Sequence, residues 1–260
     1  MNMITGDTHI PIDGRKILNI NDQGMTKKDN LIICGDFGLI WDQGPSPTEK
    51  KWISKIQNKN FTTLFIDGNH DNHDRLNDLQ TTEIFNNTVG IVSDNIYYLK
   101  RGHIYIINNK TFFCMGGAFS IDAWHLEKDL ITGKQHKVWD RKPGKTWWEK
   151  EQPSKEDMLR AINNLESYNW KIDYVITHTC PLNIANTYLA TASNHLHPDE
   201  VRYLSNKKSE VEKYFQILSS EIEFEKWFFG HWHYDWSTFD YYKSKKRFYY
   251  MLYDDIKIIN

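Results

Sequence analysis

Thr62-Thr63-Leu64-Phe65-Ile66-Asp67-Gly68-Asn69-His70-Asp71 is the stretch on which the fold of this chain turns. Thr62 to Ile66 form a β-branched and apolar run, the pattern of a strand buried on both faces. Gly68 turns the chain, and Asn69, His70 and Asp71 follow at once. A Gly-Asn turn alone does not need a histidine and a carboxylate behind it. In open α/β sheets, ligands bind beyond the carboxyl ends of the strands, so these polar residues stand where a site is expected.

The same arrangement recurs outward in both directions. Met3-Ile4-Thr5 precedes Gly6-Asp7-Thr8-His9, and Leu31-Ile32-Ile33-Cys34 precedes Gly35-Asp36. Further on, Tyr174-Val175-Ile176 precedes Thr177-His178, and Trp227-Phe228-Phe229 precedes Gly230-His231-Trp232-His233. Taken singly, these are weak signals. An Asp-x-His pair is common, and a histidine after an apolar strand, such as His178, is more often structural. Gly-His-x-His is stronger, because strand spacing puts both imidazoles on one side. Five such strands converging at one sheet edge point to a metal centre. Carboxylate, imidazole and amide-carbonyl donors suit Mn, Fe, Zn or Ni ions. No cysteine ligand pattern is present, which argues against a structural zinc site.

Because the motifs spread over nearly all of the 260 residues, neither half can fold usefully alone. The expected organisation is one α/β domain over 1–260, with an insertion at about 120–153. The formal charge of -2 gives no sign of a generally basic, nucleic-acid-coating surface. Aromatic residues make up 14% of the chain, and much of that must be core. Three cysteines, Cys34, Cys114 and Cys180, form no CxxC pair, and their odd number argues against a disulfide framework. Reduced, buried thiols in a cytoplasmic protein are expected. No signal-peptide pattern follows Met1, and no apolar stretch approaches the ~20 residues of a membrane-spanning helix.

Helices are expected between the strands. Pro47 to Gln57 follows Ser46, a plausible N-cap, with Trp52, Ile53 and Ile56 on one face. Ser154 opens another, with Met158, Ala161, Ile162 and Leu165 in a stripe, and Ser209 to Ile222 repeats the pattern with Val211, Phe215, Leu218 and Ile222. Ile104–Ile107 and Thr111–Met115 read as a hairpin with an Asn-Asn-Lys turn. Trp236 to Ile259 should add further antiparallel strands. Between about Ser120 and Pro153, His125, His136, Trp139, Arg141, Lys142, Lys145, Trp147 and Trp148 interrupt this alternation. That segment is read as lying over the site, where it either stacks a nucleobase or anchors itself to the core through Trp147 and Trp148. His195 and His197 read as surface residues of a polar loop.

In order and in residue type, the five motifs resemble the calcineurin-like metallophosphoesterase superfamily. The resemblance implies a four-layer α/β/β/α sandwich of two mixed sheets, and metal-assisted hydrolysis of a phosphate ester. It also implies a ligand set. Asp7, His9, Asp36 and His233 would hold one divalent ion. Asp36 would bridge to a second, completed by Asn69, His178 and His231. His70 would stay unligated and act on the substrate, with Asp71 orienting it. Gly35, Gly68 and Gly230 would let the turns approach the metals closely.

Departures from the family pattern narrow the activity. Gly35-Asp36-Phe37-Gly38-Leu39-Ile40-Trp41-Asp42 lacks the arginine that protein phosphatases of the superfamily carry there, which counts against that activity. Asp71 stands where those enzymes usually have glutamate, and Ile10 where many relatives have glycine. Gly35 to Asp42, Gly116-Gly117-Ala118 and Trp147-Trp148 followed by Pro153-Ser154 look like a group of bacterial and phage metallophosphoesterases. That likeness brings no substrate with it. Arg75, just after the Gly-Asn-His-Asp turn, is a candidate for binding the substrate's phosphate.

The expected function is therefore a phosphoesterase with two divalent ions, Mn first among them. Its substrate would be a phosphate mono- or diester, small or nucleotide-derived. A metal-dependent nuclease is one alternative, with nucleic acid as a possible but disfavoured partner. A non-catalytic metal-binding scaffold is the other. No membrane partner is expected.

Overall fold

The fold is described from a computed structural model covering residues 1–120, 124–128, 135–139, 148–192 and 210–259; for 124–128 and 135–139 the backbone alone is described. The first strand segments of the sequence become parallel neighbours. β1 (Asn2–Thr5), β2 (Asn30–Ile33), β3 (Thr62–Phe65) and β6 (Ile96–Leu99) lie side by side and parallel. Parallel pairs cannot be joined by a tight turn, so the chain crosses over through α1 (Arg15–Leu18), α2 (Pro47–Gln57) and α3 (His73–Asn77). β4 (Thr81–Ile84) and β5 (Asn87–Ser93) extend one edge antiparallel, and β15 (Lys257–Ile259) closes the other against β1. The result is a seven-stranded mixed sheet.

The second sheet has six strands, in the order β13-β14-β12-β11-β8-β7. Its parallel centre is β8 (Lys110–Met115), β11 (Tyr174–Thr177), β12 (Lys226–Phe229) and β14 (Lys245–Met251). β7 (His103–Ile107) and β13 (Trp236–Tyr242) run antiparallel at its edges. α4 (Lys155–Ser167), α5 (Leu182–Thr191) and α6 (Glu210–Glu221) supply its helices. β9 (Trp124–Lys128) and β10 (Gln135–Trp139) form a separate antiparallel pair between β8 and α4 in the chain.

Strand alternation shows how the layers stack. Ile4, Ile32 and Leu64 from one sheet meet Phe112, Cys114, Tyr174, Ile176 and Phe228 from the other in one buried cluster. Their sequence neighbours Met3, Leu31, Ile33 and Phe65 point the opposite way, onto Ile17, Trp52, Ile56 and Leu76 of the first three helices. Phe113, Val175, Trp227 and Phe229 likewise face Ala161, Leu165, Ile184, Leu189, Phe215 and Leu218. Helices, sheet, sheet, helices is the four-layer sandwich expected. The long aromatic runs are explained by burial on both faces of every central strand.

Helix boundaries follow the sequence closely. Ser46 caps α2 by accepting from the Glu49 amide, and Ser154 forms a capping box with Asp157 at α4. Two expectations are corrected. The β7–β8 turn is the two-residue Asn108-Asn109, with φ of 50° and 62°, while Lys110 already belongs to β8. Asparagine tolerates that left-handed pair, which matches the twist of a tight hairpin. The C-terminal strands are also not all antiparallel, since β14 runs parallel to β12. β15 leaves the second sheet altogether and pairs with β1 of the first. The three cysteines are free and buried. No helix among the described residues is long and apolar enough to cross a membrane.

Candidate metal centre

The motif residues all lie just past the carboxyl ends of parallel strands, β1, β2 and β3 in one sheet and β11 and β12 in the other. Hydrogen bonds knit the turns within each edge and then join the two edges. The Thr8 and His9 amides donate to the Asp36 carbonyl at 3.0 and 2.9 Å, and the Gly230 amide donates to the His178 carbonyl at 2.9 Å. The His231 amide donates to both carboxylate oxygens of Asp7, at 2.9 and 3.0 Å, across the sheet interface.

Two ligand clusters result, Asp7 with His9 and His233, and Asp7 with Asp36 and His178. In the first, His9 Nε2 and His233 Nε2 face each other at 2.9 Å, and Asp7 Oδ2 is 3.1 Å from His233 Nε2. Two ring nitrogens and a carboxylate oxygen aimed at one point form a cradle for a cation. In the second, Asp36 Oδ2 lies 3.3 Å from His178 Nε2 and 3.7 Å from His9 Nε2, so it stands between the clusters. Asn69 Oδ1 is 3.0 Å from His178 Nε2, and the His231 ring is edge-on to His178 at 5.0 Å. The donor set of imidazoles, carboxylates and one amide oxygen fits divalent transition ions.

Electrostatics set the site for positive charge. Burial opposes ionisation of Asp7, yet His233, His9 and His178 hold its carboxyl well below the usual range. Asp36 is likewise lowered against its burial, by His178, His70 and His9. Burial disfavours a charged His178, but Asp36 and Asp7 push it up to about 10. What stabilises protons among these groups would stabilise a metal cation in their place.

Backbone strain is concentrated at the same residues. His9, Asp36, His231 and His233 all adopt left-handed φ, at 33°, 47°, 70° and 48°. Such conformations cost of order 1–3 kcal/mol each and persist where the surroundings over-determine them. Close approach uses glycine as well. A Cβ on Gly68 would sit 2.0 Å from Asp36 Oδ1, and one on Gly230 2.0 Å from Asp7 Oδ1.

His70 is half-buried beside the clusters. Its amide donates to Asp36 Oδ1 at 2.7 Å, and its ring lies 5.4 Å from His9 and 5.6 Å from Trp41. Asp71 is fully buried, and its two oxygens accept from the amides of Gly38 and Gly68 at 3.0 and 2.9 Å. It clamps the second and third motif turns together. Burial and the nearby Asp36 charge raise its carboxyl to about 7, against the two amide bonds.

Arg75 is engaged elsewhere. It makes a bidentate ion pair with Glu49 at 2.8 and 2.9 Å and donates to the Asp42 carbonyl, tying α3 to α2. Of the residues singled out between Ser120 and Pro153, Trp148 is buried and meets Trp41 edge-on at 4.4 Å. Arg141, Lys142, Lys145, Trp147, His195 and His197, and the side chains of His125, His136 and Trp139, lie outside the described residues.

Sequence reading missed the supports of Asn69. Its Nδ2 donates to Ser120 Oγ at 3.2 Å, and Ser120 Oγ donates to Glu151 Oε2 at 2.7 Å. The Ser120 amide holds the other oxygen of Glu151 at 3.1 Å. All three residues are buried. Because Asn69 Nδ2 is thus committed, Oδ1 faces Asp36 and His178. Behind the same turn, Asp67 accepts from Arg101 Nε and Nη2 at 2.9 and 2.6 Å and from the Tyr98 hydroxyl at 2.8 Å. Arg101 also donates to the Lys150, Glu151 and Gln152 carbonyls. Lys16, half-buried, donates to the carbonyls of Asp7 and Tyr253. Only long-range packing makes these partners, so no local motif announces them.

A family model described as calcineurin-like phosphoesterase matches residues 3–235. No curated protein matches the chain. The matched span contains every strand-end motif assembled above, from Asp7 to His233. The chain belongs to the calcineurin-like phosphoesterases.

Proposed function

We propose that this protein is a dinuclear metal-dependent hydrolase of phosphate mono- or diesters, acting on a small or nucleotide-derived substrate. The observation that carries the reading is the pair of clusters that share Asp7, with Asp36 Oδ2 of the second 3.7 Å from His9 Nε2 of the first and His9 Nε2 and His233 Nε2 converging at 2.9 Å. In this reading Asp7, His9, Asp36 and His233 would hold one ion, and Asn69, His178 and His231, with Asp36 shared, would hold the second. Bound divalent ions would supply Lewis-acid charge for the phosphate oxygens and a lowered pKa for an attacking water.

The chain's own residues do the rest. The Cys34 carbonyl accepts from His178 Nδ1 at 2.8 Å, which leaves Nε2 as the ligand nitrogen. Ser120 fixes the face of the Asn69 amide. His70, anchored by its amide to Asp36, presents its ring beside the clusters as the group that protonates the leaving oxygen. Asp71 keeps the turns bearing Asp36 and His70 at fixed separation.

Hydrolysis of a chromogenic phosphate ester, with and without chelator, tests the reading. Chelation should abolish turnover and Mn²⁺ should restore it. Asp36→Asn should lose the coupling of two ions, because a neutral amide bridges cations poorly. Full activity of that variant without metal would sink the proposal. His70→Asn should retain both ions by elemental analysis and lose roughly 10²–10⁴-fold in turnover, the range for a positioned acid. If it loses a metal instead, the division between ligands and acid is wrong. Metal binding with no turnover on a broad ester panel would favour the scaffold.

A further inference from the structure

The three site histidines that face outward belong to a longer row of rings. Centroid separations run 5.6 Å from Trp41 to His70, 5.4 Å from His70 to His9, 4.9 Å from His9 to His233 and 5.0 Å from His233 to Tyr253. Trp41 and Tyr253, at the two ends, have no ligand role. Both lie nearly flat on their neighbours, at 25° and 18°. Trp148 braces Trp41 from the side.

A cavity of about 530 Å³ runs along this row, completed by Ile10, Pro11, Ile12, Asp13 and Gly38. Ile12 is 77% exposed, a large apolar side chain standing at the mouth. Among the described lining residues there is no lysine and no arginine, and the one carboxylate is Asp13, which accepts from the Tyr253 hydroxyl at 3.0 Å. A polyanionic strand is gripped through lysine and arginine. A planar uncharged ring is gripped by flat aromatic and apolar surface, at ~1–3 kcal/mol per stacked ring.

We infer that this mouth holds the alcohol part of the ester, and that this part carries a planar uncharged aromatic ring, as an aryl alcohol or a nucleoside does. The described lining offers no cation to a second phosphate or a nucleic-acid backbone. The inference rests on the phosphoesterase reading only for the word ester, since the mouth's preference for a ring can be measured without turnover.

The test uses the Mn²⁺-loaded full chain and non-hydrolysable probes. Calorimetry compares phenylphosphonate with methylphosphonate, which share the metal-binding head and differ in the ring. Phenylphosphonate should bind roughly tenfold tighter, about 1.4 kcal/mol. Trp41→Ala should reduce that ratio to about one, and Trp41→Phe should keep most of it. Any effect of Trp41 on His70 acts on both probes and cancels in the ratio. The non-hydrolysable phosphonate analogues of adenosine monophosphate and of ribose 5-phosphate, compared in the same way, separate a nucleoside from a simple aryl group. Equal affinities in the unaltered protein overturn the inference, whether or not the variants fold. A ratio that survives Trp41→Ala overturns the role given to Trp41. Ring preference without hydrolysis of any ester leaves the mouth standing and removes the phosphoesterase reading. Hydrolysis with equal affinities does the reverse.

Discussion

Asn69 shows what single residues must do for a metal centre. An amide offers one oxygen and one nitrogen of similar shape, and only the oxygen is a ligand. Ser120 and Glu151 decide which faces inward. Glu151→Gln or Ser120→Ala should leave the fold intact by circular dichroism and weaken one of two metal-binding steps by about 10–100-fold, the usual cost of losing an orienting partner. Unchanged affinity for both ions would mean the amide is held by something else. Gly68→Ala is a harsher case, because the new Cβ would meet Asp36 Oδ1 at 2.0 Å. The same Cβ would stand 2.4 Å from the Asp36 amide nitrogen, backbone that cannot swing aside, so metal content should fall sharply while the two sheets persist.

Elements carry a second kind of constraint, seen where β7 faces α4. His103 is pushed down to about 4 by burial, and by the positive charges of Arg160 and Lys100, against the weaker pull of Glu83 and Asp157. Its unfolded value is about 6.5, so between the two the unfolded chain binds the extra proton. The stability His103 contributes is therefore complete above about pH 6.5 and is lost as pH falls toward about 4. Urea denaturation midpoints of the unaltered protein and of His103→Gln should diverge in pH dependence across that window. Parallel pH profiles would show that His103 titrates normally in the folded state. The buried Asp67–Arg101 pair joins the end of β3 to the segment around Lys150. Arg101→Met should destabilise by about 3–5 kcal/mol, since it strands Asp67 without its cation. Urea unfolding gives the measurement, and a loss below about 1 kcal/mol, the scale of an exposed pair, would contradict the pairing.

For the whole molecule, the decisive fact is that the proposed ligands come from both sheets. Asp7, His9, Asp36 and Asn69 follow strands of one, and His178, His231 and His233 follow strands of the other. Metal bound between them can only stabilise the assembled sandwich. At a hundredfold excess over its Kd, Mn²⁺ should add about 2.7 kcal/mol per site. Calorimetry should record one transition that moves up with metal and down with chelator. Two separate transitions, with only one responding, would show that the sheets fold independently and that the ligand set does not span them.

The sequence by itself determined the strand ends, the helix caps and the kind of chemistry. These are local: apolar runs of strand length, Ser46 and Ser154 before helical stripes, and ligand-type residues directly after each run. Tertiary structure decided what depends on residues far apart in the chain. Sequence periodicity could not tell that β14 lies parallel to β12, or that β15 crosses to the other sheet, because strand partners are chosen by global packing. Nor could it find Ser120 and Glu151 behind Asn69, or Glu49 engaging Arg75. The row of rings from Trp41 to Tyr253 spans most of the chain, and only the closure of two sheets on one another makes it a surface.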